Sequence, residues 1–134
     1  MSTSKNVLVT ELTGFANPVI ARRLKDKGAR VIGCDPAITA DGEAEGVETV
    51  AWGSPADVTA RALERFGGRL DAIVISSAMP APRIKVEDLT VEVLTPYFVR
   101  LAAESLAFAG AAVKAMRPNK AGRIVFGSSS GPIG

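Results

Sequence analysis

Short apolar runs alternate along the chain with amphipathic stretches, and the alternation sets the predicted elements. Asn6 to Thr10 (Asn-Val-Leu-Val-Thr) has the length and apolarity of a buried strand. Asn17 then offers a side-chain cap and Pro18 a first helical residue that lacks the N–H a helix cannot use there. A helix follows over Val19 to Lys27, with Val19, Ile20 and Leu24 on one face and Gly28 as its stop. Ala29 to Cys34 is a second strand closing on Asp35-Pro36, residues 37–46 an acidic, glycine-containing loop, and Val47 to Trp52 a short third strand. Pro55 opens a helix to about Phe66, stopped by Gly67-Gly68, and Leu70 to Ser76 is the clearest strand in the chain. After the loop Met79-Pro80-Ala81-Pro82, a short helix is expected over Glu87 to Thr95.

A long alanine-rich helix is predicted over Tyr97 to Met116. Arg100, Glu104 and Lys114 fall on one narrow stripe, and Leu101, Ala103, Leu106, Phe108, Ala112, Val113 and Met116 cover most of the rest. A helix apolar over so much of its girth is expected to be buried on more than one side. Gly122-Arg123 leads into the last strand, Ile124-Val125-Phe126, and a serine- and glycine-rich end, Ser128 to Gly134.

This order predicts one α/β domain over residues 1–134: a Rossmann-like, doubly wound parallel sheet of five strands in the order 3-2-1-4-5, with right-handed crossovers. The chain stops soon after the fifth strand, whose far edge nothing then covers. A hydrophobic fraction of 47%, mostly Ala, Val, Leu and Ile, suits strands covered on both faces. The net charge of +2 is spread over interspersed acids and bases, so no nucleic-acid partner is expected. No apolar run reaches the roughly 18 residues of a membrane span, and Met1 to Lys5 begin no signal peptide, so a cytoplasmic protein is the expectation. The lone Cys34 reads as a small core residue. With no histidine in the chain, histidine acid–base chemistry and histidine metal sites are excluded, and no metal site is expected.

The stretch that could carry chemistry is the turn after the first strand, Thr10-Glu11-Leu12-Thr13-Gly14-Phe15-Ala16-Asn17-Pro18. Strand–turn–helix units of this kind hold dinucleotide pyrophosphates when glycines let the backbone approach the ligand. Here there is one glycine, Gly14. In the order and spacing of its segments the chain resembles the N-terminal part of a short-chain dehydrogenase/reductase. The residues that carry the resemblance are Val7-Leu8-Val9-Thr10, Ala21-Arg22-Arg23-Leu24, Gly28-Ala29-Arg30-Val31-Ile32, Asp35, Arg65-Phe66-Gly67, Leu70-Asp71-Ala72-Ile73-Val74 and Gly122-Arg123-Ile124-Val125 before the serines.

What the resemblance implies about function is a degenerate site. The family's Thr-Gly-x-x-x-Gly-x-Gly turn, laid on Thr10, puts its glycines on Glu11, Phe15 and Asn17. Vestiges of an NAD site would be Thr10, Gly14, Phe15, the ribose-binding acid Asp35, and Ala78, the one residue kept from the family's Asn-Asn-Ala-Gly. Ser129 matches the catalytic serine, with its neighbours Ser128 and Ser130 as alternatives for the same position. The Tyr-x-x-x-Lys pair, expected about a dozen residues later, is not reached, and the family's active-site asparagine falls on Leu101, read as a core leucine. Thr10 and Phe15 also match the Thr-x-x-x-x-Phe-x-Gly turn of halohydrin dehalogenases, in which a halide takes the nicotinamide space.

The expectation is therefore a non-catalytic structural partner subunit without cofactor. It would pair through helix 97–116 with itself or with an active dehydrogenase paralogue. The small residues Ala102, Ala103, Ala109, Gly110 and Ala112 would let backbones approach. The alternative is the N-terminal part of an NAD-dependent oxidoreductase or a dehalogenase-type lyase.

Overall fold

The computed structural model describes residues 4–76 and 83–127. Its strands are β1 (Asn6–Val9), β2 (Arg30–Gly33), β3 (Gly42–Ala44), β4 (Val47–Thr49), β5 (Ala72–Ile75) and β6 (Arg123–Phe126). They form one sheet in the order β3-β4-β2-β1-β5-β6, with every pair parallel except β3–β4. The five parallel strands stand in the predicted order. The sixth, β3, corrects the reading of residues 37–46 as loop. Glu45 (φ 53°) and Gly46 (φ 79°) both take the left-handed conformation, the two-residue turn that matches the twist of a hairpin. The hairpin folds β3 back on β4 as a short, acidic edge strand, and such an edge resists further pairing.

Helices α1 (Asn17–Asp26) and α2 (Pro55–Arg65) form the crossovers at β1–β2 and β4–β5. Alternation along β1 sends Leu8 to one face and Val7 and Val9 to the other. Leu8 packs with Ile32, Val58, Ile73, Phe108 and Met116 beneath α2 and the helix that precedes β6. Val7 and Val9 pack with Leu12, Ala21, Val31 and Val74 beneath α1. Cys34 is fully buried in the first cluster, and burial pushes its thiol pKa up to about 12, so it is an inert core residue.

The helical segment before β6 departs from its predicted break at Pro96. A 3-10 turn, Val86–Asp88, precedes α3 (Val91–Phe98), which continues through a wider π-turn, Val99–Ala103, into α4 (Glu104–Met116). Thr90 caps α3 by accepting from the Val93 N–H at 3.2 Å, and Pro96 lies inside the helix. Its missing N–H removes one rung of the ladder, and the helix loosens into the π-turn just beyond.

The expected burial on more than one side is not what the described residues give. Phe108, Ala112 and Met116 are buried, whereas Phe98, Leu101, Leu106 and Val113 are exposed. Of the small residues, Ala112 is buried and Ala109 packs against the core, leaving Ala102, Ala103 and Gly110 on the open side.

Candidate functional site

The sheet changes direction between β1 and β5: the chain winds from β1 towards β2 and β4 on one side and continues through β5 to β6 on the other. The crevice at the C-terminal ends of these two strands is where doubly wound folds take ligands. The turn from Thr10 to Asn17 forms its floor. Thr10 N–H donates to the Val74 carbonyl (3.0 Å) and Leu12 N–H to that of Cys34 (3.0 Å), so the turn bridges β5 and β2. Leu12 presses on Gly33, where a β-carbon would sit 2.6 Å from the leucine Cδ2 and would force the Leu12 side chain to shift.

Glu11 (φ 46°) and Phe15 (φ 48°) are left-handed, a conformation that favours glycine and is an outlier for bulky residues. These are two of the three positions where the family turn has glycine. Gly14 has no positive φ. The backbone therefore keeps the path of a glycine turn without the glycines.

Each replaced position contributes a side chain with its own environment. The Glu11 carboxylate accepts from the Arg100 guanidinium, which reaches down from the π-turn. Arg100 Nε lies 3.1 Å from Glu104, one helical turn on, as an ion contact whose N–H is poorly aligned. The guanidinium stacks 5.7 Å above Trp52, whose ring meets Phe108 at 5.9 Å. Asn17 is buried, and its Nδ2 donates to the carbonyls of Thr10 (2.8 Å) and Glu11 (3.1 Å) while its Oδ1 accepts from Ser76 Oγ (2.6 Å). Asn17 is thus not the predicted cap: the residue before α1 is Ala16, with no side-chain cap, and Asn17 is the first helical residue, turned back onto the strand end. Phe15 is 89% exposed.

The other sequence-predicted residues fall as follows. Thr10 is buried, and its Oγ1 accepts from the Ser76 N–H at 3.3 Å. Asp35, at the end of β2, is engaged within the chain: Oδ2 accepts from Thr13 N–H (2.9 Å) and Thr13 Oγ1 (2.8 Å), and Oδ1 from Ala37 N–H (2.9 Å). The acid that would hold a ribose instead ties down the turn. Leu101 is exposed rather than core. The π-turn carries it away from the face that Phe108 and Met116 bury. Ala78 and Ser129 lie outside the described residues. Gly127, the last described residue, packs so close on Ser76 that a β-carbon there would lie 2.5 Å from the serine's own.

Sequence reasoning missed Arg100, Trp52 and Ser76. One available signal was an arginine in an otherwise apolar helix opposite a glutamate at a glycine position. Among the described residues no cluster of three or more potential ligands could hold a metal ion, and no helix is long and apolar enough to cross a membrane.

No family model matches the sequence, and no curated protein matches it. Solved structures do. A dehalogenation enzyme superposes with a TM-score of 0.85 at 26% identity, over 98% of this chain and 56% of that one. A halohydrin dehalogenase bound to ethyl (2S)-oxiran-2-ylacetate gives 0.84 at 19% identity, over 97% and 54%. A short-chain dehydrogenase from Streptomyces avermitilis gives 0.78 at 22%, over 95% and 50%, and a short-chain dehydrogenase/reductase from Serratia marcescens 0.74 at 20%, over 91% and 56%. The chain spans about half the length of these proteins. It has the Rossmann-like fold of the N-terminal part of the short-chain dehydrogenases/reductases and the halohydrin dehalogenases.

Proposed function

We propose that this chain is the N-terminal part of a cofactor-free protein of the halohydrin-dehalogenase type. The observation that carries the reading is the Glu11–Arg100 pair in the crevice where the related fold holds a dinucleotide. A pyrophosphate approaching this turn meets a carboxylate in a partly desolvated site and the side chain of Asn17 in place of bare backbone. Phe15 in the Thr-x-x-x-x-Phe turn, and the higher TM-scores of the two dehalogenases, support the choice within the fold. In such an enzyme the substrate hydroxyl loses its proton, its oxygen attacks the neighbouring carbon, and the carbon–halogen bond breaks to leave an epoxide and a halide ion. Ser129 is the residue of this chain assigned to the substrate oxygen, with its acid–base partners supplied by sequence beyond residue 134.

Calorimetric titration of the chain with NAD and NADH tests the absence of a cofactor, and no binding is expected. Micromolar affinity would instead favour the N-terminal part of an NAD-dependent oxidoreductase, with Asp35 released to a ribose. A halide-release assay on the full-length protein with vicinal halohydrins tests the reaction, which a Ser129→Ala variant should lose. The chain of residues 1–134 alone should turn over neither halohydrins nor alcohols.

A second reading, a non-catalytic subunit that pairs with its own copy or an active dehydrogenase paralogue, draws on the exposed Phe98, Leu101, Leu106 and Val113 along the helical segment. Soluble monomers rarely leave a large apolar patch open. Release of halide by the full-length protein would reject it.

A further inference from the structure

We propose that the π-turn Val99–Ala103 is one of two registers open to this helix, and that the Glu11–Arg100 ion pair is the latch that holds it. In an unbroken α-helix Leu101 would stand two turns before Phe108 and about 20° from it around the axis, on the face that buries Phe108, Ala112 and Met116. In the wide turn the Glu104 N–H donates five residues back, to the Val99 carbonyl, so the turn holds one residue more than an α-turn. That extra residue rotates the preceding segment by up to about 100°. Leu101 is swung outward and left 47% exposed. Arg100 takes its place over the Trp52 ring, with its side chain only 26% exposed.

Each register leaves something unmet. The π register exposes a leucine and leaves the buried Nε N–H of Arg100 poorly aligned on Glu104. It gains the Glu11 carboxylate and the Trp52 face for the guanidinium. The α register gives up both, but buries Leu101 against Trp52 and Phe108 and carries Arg100 towards solvent with Glu104 beside it as an i,i+4 pair. Neither Val86–Asp88 nor α3 has a buried residue, so rotating the segment ahead of the turn uncovers no core. The register decides what the crevice presents. In the π register its wall is a guanidinium closed on a carboxylate, and about 10 Å³ remain between them and Ser76, Ser105 and Phe108. In the α register the wall is a leucine and Glu11 has lost its cation. The inference goes beyond the dehalogenase reading and stands without it.

The experiment is the rate at which a maleimide labels an introduced thiol. Cys34 is buried and its thiol pKa is pushed up to about 12, so the chain's own cysteine gives a silent background. Leu101→Cys reports the register. Leu106→Cys, exposed on the C-terminal side of the turn, is the control whose rate the register does not move. Each is labelled with the latch intact, with Glu11→Ala, with Arg100→Gln, and with both. Thermal unfolding first establishes which forms are folded, and either latch variant suffices if the other is not. With the latch intact, positions 101 and 106 should label at similar rates. Removing the latch from either side should slow position 101 against position 106 by at least about tenfold, the mark of an α register populated roughly nine times in ten. The double variant should be no slower than either single one, because both remove the same pair. Slow labelling of position 101 with the latch intact overturns the proposal. So does a rate that stays unchanged without the latch, or one that rises because the turn has unravelled.

Discussion

Replacing Phe15 by glycine should make this protein more stable. Phe15 holds φ 48° with its side chain 89% exposed, so it bears the cost of a left-handed backbone and gains little from packing. For a residue with a β-carbon that conformation costs about 1–2 kcal/mol. Glycine removes the cost but adds about 0.5–1 kcal/mol of chain entropy lost on folding. The balance favours Phe15→Gly by roughly 0.5–1 kcal/mol, a rise in melting temperature of about 2–4 °C for a domain of this size. Phe15→Ala is the control: it keeps the β-carbon and loses only the ring, so its stability should stay within about 0.5 kcal/mol of wild type. Thermal unfolding followed by circular dichroism at several scan rates reads both variants. A Phe15→Gly protein that melts lower than wild type refutes the argument. So does an alanine variant that loses more than about 1 kcal/mol, because the ring would then be packing against something.

Asn17→Ala should cost about 2 kcal/mol in urea denaturation, because it takes the partner from the Ser76 hydroxyl and the Thr10 carbonyl at the buried strand end, while the Glu11 carbonyl keeps the Gly14 N–H. Burial by itself would raise the Asp71 carboxyl, but hydrogen bonds from Arg69 (2.9 Å) and the Asn6 N–H (2.8 Å) hold its pKa below the ordinary value. Its stabilisation is therefore full above about pH 4 and is lost as pH falls through the depressed value. The stability gap between wild type and Asp71→Asn should accordingly close on acidification, and a gap that stays constant with pH rejects this. If the exposed side of α4 is an interface, Leu106→Glu should dissociate the assembly seen by light scattering. Ala109, which faces the core, is the wrong place for that charge.

The order of strands was legible because each parallel strand is a short apolar run bounded by turn chemistry, as in Val7-Leu8-Val9 and Ile73-Val74-Ile75. The β3–β4 hairpin was not, because Glu45-Gly46 lacks the asparagine or aspartate that usually announces such a turn, and three residues of edge strand carry almost no periodicity. Pro96 misled in the other direction: a proline reads as a helix end, yet the capped α3 absorbs it and the strain emerges as the π-turn beyond.

The candidate site shows where reading by motif gives out. Glu11 and Phe15 in place of glycines read as a degenerate cofactor turn, and the backbone there takes positive φ in both residues all the same. What changed is what the turn presents. Its carboxylate finds Arg100, a residue 89 positions away, and no local pattern encodes that meeting. Asp35 shows the same limit, since its place at the end of β2 suits a ribose while its three hydrogen bonds run to Thr13 and Ala37. A fold can thus keep the geometry of a nucleotide site and fill it with its own side chains. The substituted positions then tell of closure only once their partners across the crevice are known.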